Sequence, residues 1–401
     1  MPLKRLAAIS YGLGQPPLLS DDGVPIVRAT NIFRGQIKPD GLIFAKLEDL
    51  PLERAPLLRE GEVLVVRSGA YTGDSALVTT PWVGSAPGYD LRITPGSRAD
   101  GRFIAYCLLS AHVLAALHLA SSRAAQPHLN AEELGETRID VPTLGEQRAI
   151  ADYLHTETAR IDALIAKKQQ LIEVLDERWS ALLSRTVAPN GLIGSATLDR
   201  DDLAWPTSAF GAVVSVAEGQ VDPRDEPWAS TVLIAPNHVE SRTGRILAFE
   251  TARDQGAISG KYRCRPGDVI YSKIRPALRK AAMAEGHWLC SADMYPLRSS
   301  PDLLPQFLLL LLLSEPFTEF AVLESDRVAM PKINRDALSR IRIPLPPIEV
   351  QQRLVRMLSD AMALRERTVG ALGTQTALLL EHRQALITAA VTGQHPIPGV
   401  A

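Results

Sequence analysis

The sequence contains one long segment twice, at a constant offset of 204 residues. Residues 126–147 align without a gap with residues 330–351, and the same offset continues through residues 148–187 and 352–391. The units of solenoid proteins are only a few tens of residues long, so a repeat of this length indicates a duplicated domain followed by a duplicated helix. A chain built from two copies of one unit suits a target that has two parts.

Long helices are predicted after each copy of the domain. The chain has neither proline nor glycine from residue 146 to residue 187, and at 1.5 Å per residue about 40 residues form a helix of the order of 60 Å. Apolar residues recur there with the spacing of a heptad seam, namely Ile150, Leu154, Ile161, Leu164, Leu171, Leu175 and Leu182. The second copy has a similar stripe of Leu354, Leu358, Leu372, Leu379 and Leu386. We expect the two helices to pair antiparallel within the chain.

Short apolar runs separated by Gly, Pro and Asp precede each helix and predict strands and turns. One helix is expected among them, from about Phe103 to Leu117. The predicted fold class is α+β, with two mixed α/β domains related by a pseudo-two-fold axis and separated by two long antiparallel helices that form an intramolecular coiled coil. The predicted segments are a domain at 1–143, a helix at 144–188, a linker at 189–206, a domain at 207–346, a helix at 347–393 and a tail at 394–401.

Composition and motifs limit the class of protein. With 46% hydrophobic and 22% charged residues, the chain is in the ordinary globular range. Its three cysteines show neither disulfide nor metal spacing and favour reduced thiols in the cytoplasm. The sequence has no apolar run of signal or membrane-span length. Since it also has no recognisable catalytic, phosphate-binding or metal motif, we expect a binding protein without a metal or cofactor.

Positive charge is concentrated locally, although the formal net charge is only −2. Between Lys261 and Lys280, seven basic residues accompany the single acid Asp268. Such a segment suits contact with phosphates, and arginine can also form two hydrogen bonds with guanine. The alternative is a solvated surface without a ligand. The equivalent loop of the first copy, residues 67–73, is glycine-rich and less charged, as expected if each copy reads a different DNA sequence.

Two pairs of segments resemble motifs of a known family. Residues 61–69 (GEVLVVRSG) and 267–276 (GDVIYSKIRP) resemble the G-D-hydrophobic segment of target recognition domains. Residues 139–147 (IDVPTLGEQ) and 343–351 (IPLPPIEVQ) resemble the I-P-x-P-P-x-x-E-Q segment at the start of the family's long helices. Over nearly its whole length, the chain therefore resembles the specificity (S) subunit of type I restriction-modification systems, the HsdS family.

The resemblance implies that each domain reads one half of a bipartite target in double-stranded DNA, with the helices as a ruler between them. It also implies two methylation subunits docked on the helices and, through them, two restriction subunits. S-adenosylmethionine and the catalytic motif would belong to the methylation subunits, and this chain would be a non-catalytic subunit acting in phage defence. Asp140, Thr143 and Val350 depart from the family pattern, which affects the start of each helix.

The candidate DNA-binding residues lie in loops of both domains. In the second domain they are Lys273, Arg275, Arg279 and Lys280. In the first domain they are Arg67, Ser68, Tyr71 and Thr72. A further set is Arg28, Asn31 and Arg34, although Asn237, the residue that corresponds to Asn31, suits a structural turn as well.

Three alternatives remain open from the sequence. The first is an adaptor that joins proteins through its helices without reading DNA. The second is an enzyme with an unrecognised site. The third is the recognition subunit of a related system that cuts DNA on both sides of a bipartite site.

Overall fold

The computed structural model describes residues 1–122, 127–189, 205–217, 219–325, 331–398 and 400. It divides into two compact units: unit 1 comprises Met1–Gln169 and Leu372–Ala401, and unit 2 comprises Gln170–Ala371. Gln126 and Met330 of the repeat, residues 190–204 of the predicted linker and residues 399 and 401 of the predicted tail lie outside the described residues. Each unit holds one mixed α/β domain with the first part of the long helix that follows it and the last part of the other long helix.

Unit 1 contains ten short strands before its long helix. They are β1 (Ala7–Tyr11), β2 (Leu19–Ser20), β3 (Val24–Val27), β4 (Ile32–Phe33), β5 (Gln36–Ile37), β6 (Ile43–Ala45), β7 (Val63–Val65), β8 (Ser75–Leu77), β9 (Ala86–Pro87) and β10 (Leu91–Pro95). The helices that follow are α1 (Gly101–Leu109), α2 (Ala111–Ser121), α3 (Ala131–Glu136) and the long α4 (Leu144–Val187), which continues into unit 2. The main sheet is antiparallel in the order β1-β10-β7-β8, a second sheet has the order β2-β6-β3-β9, and β4 pairs with β5.

Unit 2 repeats this plan. Its elements are β11 (Thr207–Ala209), α5 (Phe210–Val213), β12 (Val214–Val216), β13 (Gln220–Val221), β14 (Leu233–Ile234), β15 (Lys261–Cys264), β16 (Val269–Ser272), β17 (Ala281–Met283), β18 (Trp288–Cys290), β19 (Met294–Ser299), α6 (Pro305–Leu313), α7 (Glu315–Ser325), α8 (Arg335–Arg340), β20 (Arg342–Pro344) and the long α9 (Ile348–Val391), which continues into unit 1. The main sheet has the equivalent order β12-β19-β16-β17, and β11 pairs with β20. The predicted mixed α/β domains and long helices are confirmed.

The second sheet differs between the two domains. In unit 1, β3 and β9 are parallel neighbours and β6 joins the sheet beside β3. In unit 2, β14 and β18 form the equivalent parallel pair, but β15 joins beside β18. The two domains therefore share the main sheet and differ in the smaller one.

The helix predicted from Phe103 to Leu117 is wrong as one element, because it consists of α1 and α2 with a bend of 71° between them. Ser110 lies at the bend with extended backbone, and its hydroxyl donates to the carbonyl of Cys107 at 2.5 Å. In unit 2, α6 and α7 bend by 65°, and Ser314 donates to the carbonyl of Leu311 at 2.6 Å. A serine hydroxyl that bonds to the preceding turn ends the helix there.

Each hydrophobic core uses both long helices. In unit 1, Leu154 of α4 and Ile387 of α9 are fully buried beside α1 and the main sheet. In unit 2, Leu358 of α9 and Leu183 of α4 are buried in the same way. Burying such side chains contributes about 1.5–3 kcal/mol each, so the helix ends are part of each folded unit.

The long helices pair antiparallel within each unit, as predicted. In unit 1, Arg383 forms an ion pair with Asp162 at 3.0 Å, and Lys168 donates to Gln375 at 2.5 Å. In unit 2, Arg365 donates to Asp176 at 3.1 Å. The proposed seam is wrong at three positions, since Leu164, Leu171 and Leu182 are 49%, 45% and 40% exposed. A single neighbouring helix covers only a narrow stripe, so these leucines remain on the surface.

The acid of the G-D-like motif stabilises the fold. Glu62 accepts from the backbone N–H of Arg59 at 2.8 Å and from the Arg92 guanidinium at 2.6 Å. Asp268 accepts in the same way from the backbone of Arg265 at 2.8 Å and from Arg298 at 2.7 Å. Each acid closes the turn before the central strand and pairs with an arginine on the neighbouring strand, so this part of the motif is structural.

The glutamine of the helix-start motif has a similar structural role. Gln351 is fully buried, and its amide donates to the carbonyls of Asp302 and Pro346, at 2.8 Å each, while its oxygen accepts from the N–H of Leu304 at 2.8 Å. Gln147 makes the equivalent three bonds in unit 1. The side chain fastens the loop before α6, or before α1, to the start of the long helix.

Replacing Gln351 with leucine is expected to lower the free energy of unfolding by about 3 kcal/mol, because buried backbone groups lose their partners and each such loss costs about 1–3 kcal/mol. The adjacent Gln352 is exposed, so Gln352→Leu is the matched control and should change stability by less than about 0.5 kcal/mol. Chemical denaturation of both variants measures the difference. Equal effects of the two substitutions would contradict the structural role.

Candidate nucleic-acid interface

The end of the central strand of the main sheet is built in the same way in both domains. Arg67 follows β7 and Lys273 follows β16. The carbonyl of Arg67 accepts from the N–H of Leu129 at 2.8 Å, and that of Lys273 accepts from the N–H of Ile333 at 2.9 Å. Leu129 and Ile333 belong to the repeated segment, so Arg67 and Lys273 hold equivalent positions.

In unit 1, aromatic rings surround this position. The guanidinium carbon of Arg67 lies 4.7 Å from the ring centre of Tyr11 and 4.3 Å from that of Tyr89, and its Nη2 lies 3.1 Å from Nε2 of His128. Tyr11 is 41% exposed and Tyr89 is 50% exposed. These four residues, the Arg67 cluster, combine a positive charge with open aromatic faces, which suits contact with phosphates and stacking on bases.

In unit 2, the equivalent position holds more positive charge. Nζ of Lys273 lies 5.2 Å from the ring centre of Tyr295, and the guanidinium carbon of Arg335 lies 5.6 Å from the same ring and 5.8 Å from that of Tyr262. Burial, followed by the charge of Lys332, lowers the pKa of Lys273. These five residues form the Lys273 cluster, and an anionic ligand would relieve the repulsion among its three cations.

Sequence reasoning missed most members of both clusters, namely Tyr11, Tyr89, His128, Tyr262, Tyr295, Lys332 and Arg335. The repeat itself could have identified two of these residues, His128 and Lys332. His128 and Lys332 align at the constant offset, directly between a proline and an apolar residue that are shared by both copies. Tyr11, Tyr262 and Tyr295 lie on other strands and Tyr89 lies in the loop between β9 and β10, and their spacing along the chain gives no comparable indication.

Arg279 and Lys280 have partners within unit 2, which differs from the role predicted for them. The Arg279 side chain is only 12% exposed, and its guanidinium donates to the hydroxyl of Ser180 at 3.3 Å and to Glu315 at 3.2 Å. Lys280 donates to the carbonyl of Pro236 at 2.6 Å. Both side chains therefore hold elements of unit 2 together.

The other predicted loop residues differ in exposure. Arg275 is exposed and adopts a positive φ of 47°, and Tyr71 is 49% exposed. Ser68 borders a pocket beside the Arg67 cluster. Thr72 is only 3% exposed and donates to the carbonyl of Gly69 at 2.7 Å, so it shapes the loop from within. Arg275, Tyr71 and Ser68 are thus open to a ligand, whereas Thr72 is a turn residue.

The structure does not place Asn31 at an interface. Its side chain is fully buried, its amide donates to the carbonyls of Lys38 at 3.1 Å and Asp40 at 2.9 Å, and its oxygen accepts from the N–H of Arg28 at 3.1 Å. All three bonds lie inside the domain. Asn31 therefore fixes the turn between β3 and β4, which differs from the role predicted for it.

The predicted correspondence of Asn31 with Asn237 is wrong by one residue. His238 holds the equivalent place, since its Nδ1 accepts from the N–H of Ala235 at 3.2 Å, as the oxygen of Asn31 does in unit 1. Between this position and the first glycine of the G-D-like motif, Gly61 or Gly267, unit 2 has one residue fewer than unit 1. An alignment at constant offset loses the register there.

Arg28 and Arg34, the neighbours of Asn31 in the prediction, keep part of their side chains free for a ligand. Arg28 is half-buried and donates from Nη2 to the carbonyl of Gly41 at 2.6 Å. Arg34 is exposed, has a positive φ of 46°, and its guanidinium carbon lies 5.2 Å from the ring centre of Phe33.

Asp90 is a buried carboxyl next to the Arg67 cluster. It is only 3% exposed, and its Oδ1 accepts from the backbone N–H of Arg67 at 3.3 Å. Burial raises the pKa of Asp90 from 3.8 to about 6, against the opposing effects of the hydrogen bond and the charge of Arg67. A carboxyl kept in a site where its ionised form is costly is characteristic of functional positions.

The raised pKa of Asp90 predicts a dependence of stability on pH. The folded chain holds this proton more tightly than the unfolded chain, so the contribution of Asp90 to stability falls as the pH rises from about 4 to about 6 and stays low above that. Asp90→Asn should therefore be more stable than the original chain at pH 8, by the order of 3 kcal/mol, and nearly equal to it at pH 4. Urea denaturation of both proteins at the two pH values measures this difference, and a difference that does not change with pH would contradict it.

Within the described ranges, no group of three or more His, Cys, Asp or Glu side chains could hold a metal ion. No single described helix is long and apolar enough to cross a membrane. Two bent pairs, α1 with α2 and α6 with α7, are together long and apolar enough for a span, but only by length and composition.

A family model described as "Type I restriction modification DNA specificity domain" matches residues 17–174 and 225–368. The specificity subunit of the type I restriction enzyme EcoDI from Escherichia coli is 29% identical over 292 residues, which cover 67% of this chain and 64% of the EcoDI subunit. The EcoKI specificity subunit from Escherichia coli (strain K12) is 20% identical over 411 residues, which cover 98% of this chain and 85% of the EcoKI subunit.

Two solved structures share the fold. A chain from "Structural basis underlying complex assembly and conformational transition of the type I R-M system" gives a TM-score of 0.73 at 19% identity, over 98% of this chain and 96% of the other. The HsdS subunit from Thermoanaerobacter tengcongensis gives a TM-score of 0.53, also at 19% identity and with the same coverage. Since the family model matches most of the chain, once in each copy of the repeat, the chain belongs to the type I restriction-modification DNA specificity family.

Proposed function

We propose that this chain is the DNA-recognition subunit of a type I restriction-modification complex and reads a bipartite double-stranded target, one half-site with each domain. The observation that carries this proposal is the recurrence of a cation and aromatic cluster at the same strand end in both domains. The main sheets are equivalent, but the Arg67 cluster and the Lys273 cluster differ in composition. A common scaffold with different surface groups suits two half-sites of different sequence.

The uneven charge supports binding of DNA in the grooves. The net charge of −2 gives no general attraction to DNA, so affinity depends on local groups such as Arg275, Lys332 and Arg67. Positive side chains that contact phosphates provide most of the affinity, while contacts to base edges determine which DNA sequence is recognised. Arg28, Arg34, Ser68 and Tyr71 are the remaining candidates for such contacts in the first domain.

We propose that two methylation subunits dock on the long helices and that two restriction subunits join through them. Exposed leucines on both long helices support docking, because a bound subunit would remove these apolar side chains from water. They are Leu164 and Leu378 in unit 1 and Leu171, Leu182 and Leu364 in unit 2. The names of the similar proteins, specificity subunits of type I restriction enzymes, agree with this assignment.

In this proposal the chain is not an enzyme and binds no cofactor. The methylation subunits hold S-adenosylmethionine and transfer its methyl group, and this subunit selects the site. The complex would act in the cytoplasm, where the bacterial chromosome and incoming phage DNA are found. Recognition and catalysis would then lie on separate chains.

Co-expression of this chain with methylation subunits from neighbouring genes tests the proposal. Adenine methylation is then mapped across a genome by single-molecule sequencing. We expect methylation at one bipartite motif with two short half-sites and a fixed unread gap. A stable complex that adds no methylation would instead favour an adaptor, and methylation or cleavage by the purified chain alone would favour an enzyme.

A further inference from the structure

A pocket adjoins the Arg67 cluster, and Tyr89 belongs to both. It lies within unit 1 and has a volume of about 390 Å³, within the range of sites for small ligands. Apolar groups form most of its wall, including Pro16, Ile26 and the ring of Tyr89. Asp90 also belongs to the lining. The pocket wall is therefore mostly apolar and includes one carboxyl side chain.

Two polar side chains of the pocket lining have unused hydrogen-bonding groups. Among the described residues, Oδ2 of Asp90 has no hydrogen-bond partner, and neither does Nε of Arg28. Asp90 is 97% buried, being 3% exposed. Buried polar groups in folded proteins nearly always have partners, so an acceptor and a donor left unused in the lining of one pocket indicate a ligand with complementary groups.

We propose that this pocket receives the edge of a nucleobase, with an exocyclic amino group donating to Oδ2 of Asp90. Adenine and cytosine each present such an amino group, and a carboxylate is its natural acceptor. The apolar wall with Tyr89 suits the flat face of the ring. Since Ser68 and Tyr89 line the pocket and Tyr89 also contacts the Arg67 guanidinium, the geometry favours a base of bound DNA over a free nucleoside. The inference rests on the proposed function and makes Asp90 a specificity-determining residue of the first domain.

The second domain has a different residue at this position. Leu91 pairs with Val65 in unit 1 as Tyr295 pairs with Tyr271 in unit 2, so Met294 is the equivalent of Asp90. Met294 is buried and apolar and cannot accept a hydrogen bond from an amino group in this way. The carboxylate is thus specific to the first domain, as expected for a group that distinguishes the two half-sites.

The test measures DNA binding by the complex assembled with its methylation subunits. Target duplexes are made in which each adenine is replaced in turn by purine and each cytosine by 2-pyrimidinone, changes that remove only the amino group. We expect one position in the half-site of the first domain at which this change weakens binding by the original complex about 10-fold. At that position the Asp90→Asn complex should show no further loss, because the carboxylate partner is already gone.

Two controls separate this result from a general defect. Glu53 is exposed, so Glu53→Gln removes a carboxylate elsewhere in the same domain and should behave as the original chain. Asp90→Asn keeps an oxygen for the N–H of Arg67, and its thermal unfolding should confirm that unit 1 is intact. Binding of the unmodified bipartite duplex by the original complex tests the proposed function separately.

Calorimetric titration of the chain with adenosine, cytidine and thymidine tests whether the pocket binds a free nucleoside instead of a base of DNA. Binding of adenosine or cytidine that is lost in Asp90→Asn, with no position-specific coupling in DNA, would assign the pocket to a free nucleoside. Thymidine has no exocyclic amino group and should not bind. The proposal is overturned if Asp90→Asn alters neither the response to base analogues nor the binding of nucleosides.

Discussion

Replacing Arg275 and Lys332 together with glutamate is expected to weaken binding of the assembled complex to its DNA target by at least about 100-fold at low salt. Both side chains are exposed; Lys332 belongs to the Lys273 cluster, and Arg275 lies next to it, since its N–H donates to the carbonyl of Pro331 at 3.0 Å. A protein that loses contacts with phosphates loses the free energy of counterion release. The slope of log affinity against log salt should fall by about 2, since each phosphate contact contributes about 0.9. Lys273 is left in place because it is 9% exposed, and a buried glutamate would disturb the fold.

Arg263 and Arg265 provide a matched control for this variant. Both are exposed and belong to the same basic segment, but they precede β16, whereas Lys273 follows it. Replacing both with glutamate changes the net charge by the same amount. Binding measured across a salt series should hardly change for this control. If both double variants weaken binding equally, total charge and not the Lys273 cluster determines affinity.

Removing one heptad from each long helix is expected to abolish methylation at the original target and to create a target with a shorter gap. Residues 163–169 and 374–380 are suitable, because the pairs Asp162 with Arg383 and Lys168 with Gln375 place these segments side by side in unit 1. Seven residues shorten a helix by about 10 Å, which corresponds to about 3 base pairs at 3.4 Å each. The two half-sites should remain the same while the unread gap shortens.

Genome-wide methylation mapping measures the gap directly. A control replaces the same seven residues of each helix with a different heptad of equal length, keeping the apolar positions that face the partner helix. This variant should methylate the original target. An unchanged target after the deletion would refute the proposal that the helices act as a ruler, and it would leave the recognition role of the two domains untouched.

The family, the duplicated α/β domains and the paired long helices could all be predicted from the sequence. The reason is that a gap-free repeat and a helix of 44 residues leave periodic signals that do not depend on tertiary contacts. The break at Ser110 was missed because an apolar run continues through it, and its cause is one hydroxyl bonded to the preceding turn. The exposure of Leu164 was missed because a heptad pattern does not tell how many partners cover a helix.

Prediction of the site from sequence was less complete. Arg67, Lys273 and Arg275 were proposed because basic residues after a strand are visible in the sequence, and the structure places the first two beside aromatic rings. Thr72 and Asn31 were chosen by residue type, and the structure uses their side chains inside turns. Tyr11 comes from another strand, and Tyr89 and Asp90 come from the loop before β10, so no spacing along the chain brings them to Arg67.

The sequence by itself determined the number of domains, their order, the long helices and the family, because these follow from local periodicity and from comparison of the two copies. Only the tertiary structure decided which polar side chains are free. Gln147, Glu62 and Asn31 are occupied by internal hydrogen bonds, whereas Oδ2 of Asp90 has no partner among the described residues. Whether a polar group is satisfied depends on residues distant in the chain that folding brings within about 3 Å, and that information is absent from any single segment.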